Sequence, residues 1–333
     1  MNIHLFEKLQ NEGLVSPESK EKVRFLSDNK LFSLHWELRT VLYLGVLLLS
    51  GGLGVLIYKN IDTIGHQAIL ALIAIACGGC FYYCFTKKLP FSWHKVLAPN
   101  SFFDYILLLG CLLFLTFLAY LQVQYQVFGV RYGAATFIPM LVLFFCAYYF
   151  DHLGILSMAI TNLAAWMGIS VSLRQLLANT DYFYSLPLIR TGVFLGALLI
   201  AIAYFSEQRD LKKHFAFTYS NFGVHIFMIA SLAGLMSSGF GYSYEPEFSY
   251  LLWFLFLSAA TVFMYRQALR KKSFYFVLFI ALYYYVGFSY VVVRLLILIN
   301  DLGGVYLGLL YFMGSGIGGV LFLINTNRRI KKS

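Results

Sequence analysis

The chain has 333 residues, 60% of them hydrophobic and 12% charged, with a mean hydropathy of +0.74, and these values exclude an ordinary soluble domain. The formal charge of +10 does not make it a nucleic-acid binder, because the basic residues lie in short connections between apolar runs and not in a folded basic domain. Most of those runs reach about 17 to 25 residues, enough to cross roughly 30 Å of hydrocarbon as α-helix. The expected fold class is therefore an all-α polytopic transmembrane bundle, not a barrel of strands with alternating polarity.

Residues 1–38 are expected to form a cytoplasmic helical hairpin and an interfacial segment. They hold Glu7, Lys8, Glu12, Glu18, Lys20, Glu21 and Lys22 and no apolar core of the signal-peptide kind, so the first span is expected to act as the insertion signal. Ile3, Leu5, Phe6 and Leu9 make one apolar helical stripe that stops at Gly13. Ser16-Pro17-Glu18 then starts a second helix with an N-cap, a first-turn proline and a first-turn acid, and Val23 and Leu26 continue it. Trp36 marks the entry to the bilayer. Ten spans are expected at about 40–58, 67–86, 102–122, 134–150, 153–172, 187–205, 215–238, 249–265, 274–296 and 302–324, the fourth and fifth joined only by a tight turn at Asp151-His152. Together they make a transmembrane bundle over 39–325, and 326–333 is a basic cytoplasmic tail.

With the N-terminus inside, twenty of the twenty-five basic residues fall on the inner side. They include Lys87, Lys88 and Lys95, then Arg209, Lys212 and Lys213, then Arg266, Arg270, Lys271 and Lys272. The loop around Glu245 and Glu247 has none. The asymmetry predicts cytoplasmic termini in an inner-membrane protein.

The segments GLVSPESKEKVRFL (13–26) and ELRTVLYLGVLLLSGGLGVLIYKNID (37–62) resemble the start of bacterial predicted membrane proteins of domain-of-unknown-function family 2157. The shared features are a Gly-apolar-apolar-Ser hairpin, a glycine-rich first span and its Asn60 and Asp62 end, where Ile61 replaces the usual tryptophan. The resemblance covers about the first quarter of the chain. It implies a multi-pass envelope protein with no assigned reaction, so no catalytic residue is carried over.

Several side chains stand out from the apolar background. Cys77, Cys80 and Cys84 in CGGCFYYC share one helical face, read as a packing face and not as a metal or redox site, since a zinc site needs a fourth ligand and a turn that the bilayer disfavours. Thr218, Asn221 and His225 form a polar stripe ending near the midplane, where such groups face the bundle interior or water. With Asn162 of the fifth span they are the candidate ligand-binding residues. Tyr283, Tyr284 and Tyr285 and the Gly314-Ser315-Gly316 run are candidates to converge on the same cavity. Arg190 and Arg294, near the outer ends of their helices, are read as snorkelling residues or an outer anion or headgroup site. Glycine clusters in the first and last spans are read as close helix packing.

No catalytic set, metal site or cofactor is expected. Membrane lipids are the expected partners, with a cytoplasmic protein at the N-terminal hairpin as a further partner. Two functions are carried forward: a transporter-like carrier of a small molecule or lipid through a polar midplane cavity, and a non-transporting scaffold or sensor acting through the hairpin.

Overall fold

The computed structural model describes Ser16 and residues 34–59, 65–96, 99–129, 133–168, 186–237, 249–297 and 302–332. The N-terminal hairpin, the Asn60–Asp62 end of the first span and the loop around Glu245 and Glu247 lie outside the described residues. Within them there are ten α-helices and no strand: α1 Leu34–Lys59, α2 His66–Lys87, α3 Ser101–Tyr125, α4 Gly133–Phe150, α5 Leu153–Trp166, α6 Leu186–Gln208, α7 Ala216–Ser237, α8 Ser249–Arg270, α9 Phe274–Ile297 and α10 Leu302–Lys332. Each corresponds to one expected span, and α10 runs on through most of the basic tail. Eight of the helices are long and apolar enough to cross a membrane, while Thr40–Val55 and Leu153–Trp166 are shorter apolar stretches.

Large apolar side chains face outward, among them Ile75, Val123, Leu252, Leu310 and Met313. That inversion suits a protein whose solvent is hydrocarbon and whose backbone groups are satisfied inside helices.

The chain divides into two compact bodies, residues 1–84 with 100–113, and 85–99 with 114–333. In the first, the cysteine face packs on α3: the Cys77 thiol donates to the Gly110 carbonyl at 3.5 Å, and a Cβ at Gly110 would lie 3.1 Å from Cys80 Cβ. The helices approach through Gly110, while Gly78 and Gly79 meet nothing within 4 Å.

The second body is built on a tight seam between α6 and α7. A Cβ at Gly196 would stand 2.6 Å from the backbone nitrogen of Phe227, one at Gly223 would meet Ile200 at 2.8 Å and the Gly196 carbonyl at 3.0 Å, and one at Gly192 would meet Ala230 at 2.8 Å. These glycines let two backbones touch where no hydrophobic force drives helices together. Gly234 receives the Trp253 indole of α8, and Gly287 of α9 receives Leu257. Met228, Leu235, Leu257 and Val277 complete a fully buried core.

Of the packing expected at the glycine clusters of the first and last spans, only the start of α10 shows any: Gly304 is buried and a Cβ at Gly308 would meet Leu296 at 3.6 Å. Gly45, Gly51, Gly52 and Gly54 of α1, and Gly314, Gly316, Gly318 and Gly319 of α10, meet nothing within 4 Å. Composition shows that a face is small; only a facing helix makes it a seam.

Gly196→Ala, which forces a methyl against the α7 backbone, is expected to destabilise the protein by about 1–3 kcal/mol, read as a lower Tm. Gly51→Ala, in open space, should leave Tm unchanged or slightly raised.

Candidate functional site

Successive helical residues turn by about 100°, so the three tyrosines of α9 cannot share a face. Tyr283 points to α7, whereas Tyr284 and Tyr285 point to the space between α8, α9 and α10. A cavity of 610 Å³ opens there, lined by Thr261, Val262 and Tyr265 of α8, by Leu278 to Phe288 positions of α9 including both tyrosines, and by Ser315, Gly316, Gly318, Gly319 and Phe322 of α10. It lies near the middle of α8 and α9.

The wall contains no acidic, basic or histidine side chain. Its polar feature is a hydroxyl pair, Tyr285 Oη to Ser315 Oγ at 3.1 Å. The Thr261 hydroxyl is buried in the α8 wall without a hydrogen-bond partner among the described residues. Glycine along α10 thins this wall: Gly316, Gly318 and Gly319 line the cavity without side chains, and a Cβ at each meets nothing within 4 Å. Tyr284, Tyr285, Ser315 and Gly316 converge on one cavity, but it is apolar, and Thr218, Asn221, His225 and Asn162 are not in its wall.

The polar stripe of α7 instead faces the other side of α9. The Tyr275 hydroxyl donates to Asn221 Oδ1 at 2.8 Å, so its oxygen is free to accept from His225 Nε2 at 3.4 Å. His225 Nδ1 then accepts from the Tyr283 hydroxyl at 2.7 Å. A neutral Nε2–H imidazole satisfies all of these contacts, and the ring lies edge-on to Phe279. Thr218, one turn earlier on α7, is buried. Asn162 donates to the Met158 carbonyl of its own helix at 3.0 Å. Arg294 lies over the Tyr250 ring at 4.1 Å, and Arg190 is exposed on α6.

The sequence reading missed a buried ionic cluster. Asp151 ends α4 in the left-handed conformation, φ 62°, and the chain turns at once into α5. The His152 amide closes back on the Ala147 carbonyl, and its Nδ1 caps Ile155 N–H. The Asp151 carboxylate is 1% exposed and takes Lys212 Nζ at 3.2 Å, also 1% exposed. It also takes His214 Nε2 at 2.5 Å and the Val96 amide at 2.5 Å. The Lys212 amide donates to the Trp93 carbonyl, with the Phe91 and Phe215 rings beside the ammonium. Lys212, counted in the sequence as a solvated topology marker, is buried because Asp151 neutralises it. The available signal was an acid in a turn too short to be a solvated loop.

Residues 7–156 match the family model described as "Predicted membrane protein (DUF2157)". The match extends beyond the first quarter of the chain, through α4 and the Asp151 turn. Neither a curated protein nor a solved structure matches the chain. The family description assigns membrane location and no reaction. Asp151 and His152 fall inside the match, whereas the 610 Å³ cavity lies in the part beyond it. Among the described residues no three His, Cys, Asp or Glu side chains group to hold a metal, and none of the five cysteines is in a disulfide.

Asp151→Ala strands the buried Lys212 charge and should cost about 3–5 kcal/mol, seen as a large drop in Tm. Asp151→Asn combined with Lys212→Met should recover much of that loss, since no uncompensated charge is left.

Proposed function

We propose that this chain is a carrier for a lipid-like molecule, held at mid-bilayer between α8, α9 and α10. The observation that supports this reading is the 610 Å³ cavity, within the range of about 300–1,000 Å³ that suits a small ligand. Its uncharged aromatic and glycine wall suits a molecule that arrives from the bilayer. The Asp151 cluster serves the carrier as a fixed end, tying the 85–99 segment to the α4–α5 and α6–α7 connections, while α10 rests mainly on α9. A scaffold acting through the N-terminal hairpin draws no support from any described residue.

The carrier sits in the bacterial inner membrane with both termini cytoplasmic, a reading supported by the basic connections. A membrane-impermeant thiol reagent on intact cells tests it: a cysteine placed at 239–248 should react and one at Ser333 should not. The opposite pattern contradicts the orientation.

Gly318→Leu tests the cavity, because Gly318 lines it and a Cβ there meets nothing within 4 Å. Organic extraction and mass spectrometry of the purified protein should find a lipid held in stoichiometric amount by the parent and lost in the variant, with Tm retained. Equal retention by both would place the lipid elsewhere.

A further inference from the structure

From the lining of this cavity we infer its ligand class: a neutral lipid that carries a planar ring with carbonyl oxygens. The inference rests on the carrier reading above and narrows it by charge, shape and hydrogen bonding.

Charge comes first. No Lys, Arg, His, Asp or Glu lines the cavity, so a phosphate, carboxylate or ammonium at this depth would be desolvated without a counter-charge, at a cost of several kcal/mol. A phospholipid could place only its acyl chains here, and its headgroup would have to stay at the membrane surface.

Shape is the second constraint. One wall is the α10 strip with Gly316, Gly318 and Gly319, and the others present the rings of Tyr265, Tyr284 and Phe288. Aromatic rings set against a wall thinned by glycine favour a planar ring, which gains offset or edge-to-face contacts that a saturated chain cannot make.

The hydroxyls decide between an aromatic hydrocarbon and an oxygenated ring. In the Tyr285–Ser315 pair the two hydroxyls meet at 3.1 Å, and Ser315 Oγ donates to the Phe312 carbonyl over a long 3.5 Å, a bond that a better-placed acceptor replaces. One O–H of the pair is therefore available to a stronger acceptor. Across the cavity Thr261 lines the wall with an unpartnered hydroxyl, and rotation about its Cα–Cβ bond exchanges that hydroxyl with its methyl group. Donors on both sides of a mid-bilayer space call for acceptors on both sides of the ligand, and hydrocarbon supplies none. Carbonyl oxygens on a ring do.

The test compares two probes of similar size, a decyl-substituted benzoquinone and decylbenzene, for retention by the full chain in lipid nanodiscs over empty discs. The quinone should bind at least tenfold more tightly than decylbenzene. Ser315→Ala with Tyr285→Phe, which keeps the volume of the site, should weaken the quinone about tenfold, the value of one hydrogen bond, and leave decylbenzene unchanged. Gly318→Leu should exclude both. Equal affinity for the two probes, or a quinone affinity untouched by the double hydroxyl variant, overturns the ring-carbonyl inference and leaves the carrier reading standing. Retention of neither probe above empty discs overturns both.

Discussion

One carboxylate joins three connections of the second body. Asp151 forms an ion pair with Lys212 and accepts from His214 and the Val96 amide, and none of these contacts can be given up cheaply where water is excluded. A buried ion pair contributes little net stability compared with apolar packing, yet loss of one partner is severe. Its effect is to fix geometry: the α4–α5 hairpin, the start of α7 and the 85–99 segment meet at one place or leave a charge unpaired. A parallel device closes the α8–α9 hairpin. Lys272 takes a left-handed backbone, φ 50°, the Ser273 amide returns to the Ala268 carbonyl, and Lys271 pairs with Glu207 at the end of α6.

Packing above that junction is uneven, and the unevenness has functional meaning. The α6–α7 seam is closed by Gly192, Gly196 and Gly223 to the point that no methyl group fits. Gly314, Gly316, Gly318 and Gly319 of α10 face open space, and the most apolar window of α10 holds no buried residue. The same residue type thus closes the α6–α7 seam and lines the 610 Å³ cavity. α9 sits between the two, its Tyr283 tied to His225 on the firm side and its Tyr285 to Ser315 on the open side.

The membrane-spanning character and the helix order were legible because apolar runs have a length set by the bilayer; most ends fell within a few residues, while α1 starts at Leu34, α5 stops at Trp166 and α10 runs on to Lys332. The cysteine motif was legible for a geometric reason, since i, i+3 and i+7 positions share a face that can meet Gly110. Which glycines pack was not legible, because a small face needs a partner that only tertiary structure names. The tyrosine triplet could be placed at the centre of α9, but its division between two faces follows from which helices flank it. His225 was read as a pocket residue, and the structure surrounds it with Asn221, Tyr275 and Tyr283, a satisfied chain across α7 and α9. Lys212 was misjudged because charge in a short connection ordinarily means solvation, and only the distant Asp151 makes its burial tolerable.

The most direct measurement of the central claim is an experimental density map of the chain in lipid nanodiscs, at a resolution that separates side chains. The account predicts a continuous non-protein feature between Thr261, Tyr284 and Ser315, with α10 held away from α8 as the cavity requires. A map in which α10 closes onto α8 and α9, with Gly316, Gly318 and Gly319 in helix contact and no ligand density, would contradict it.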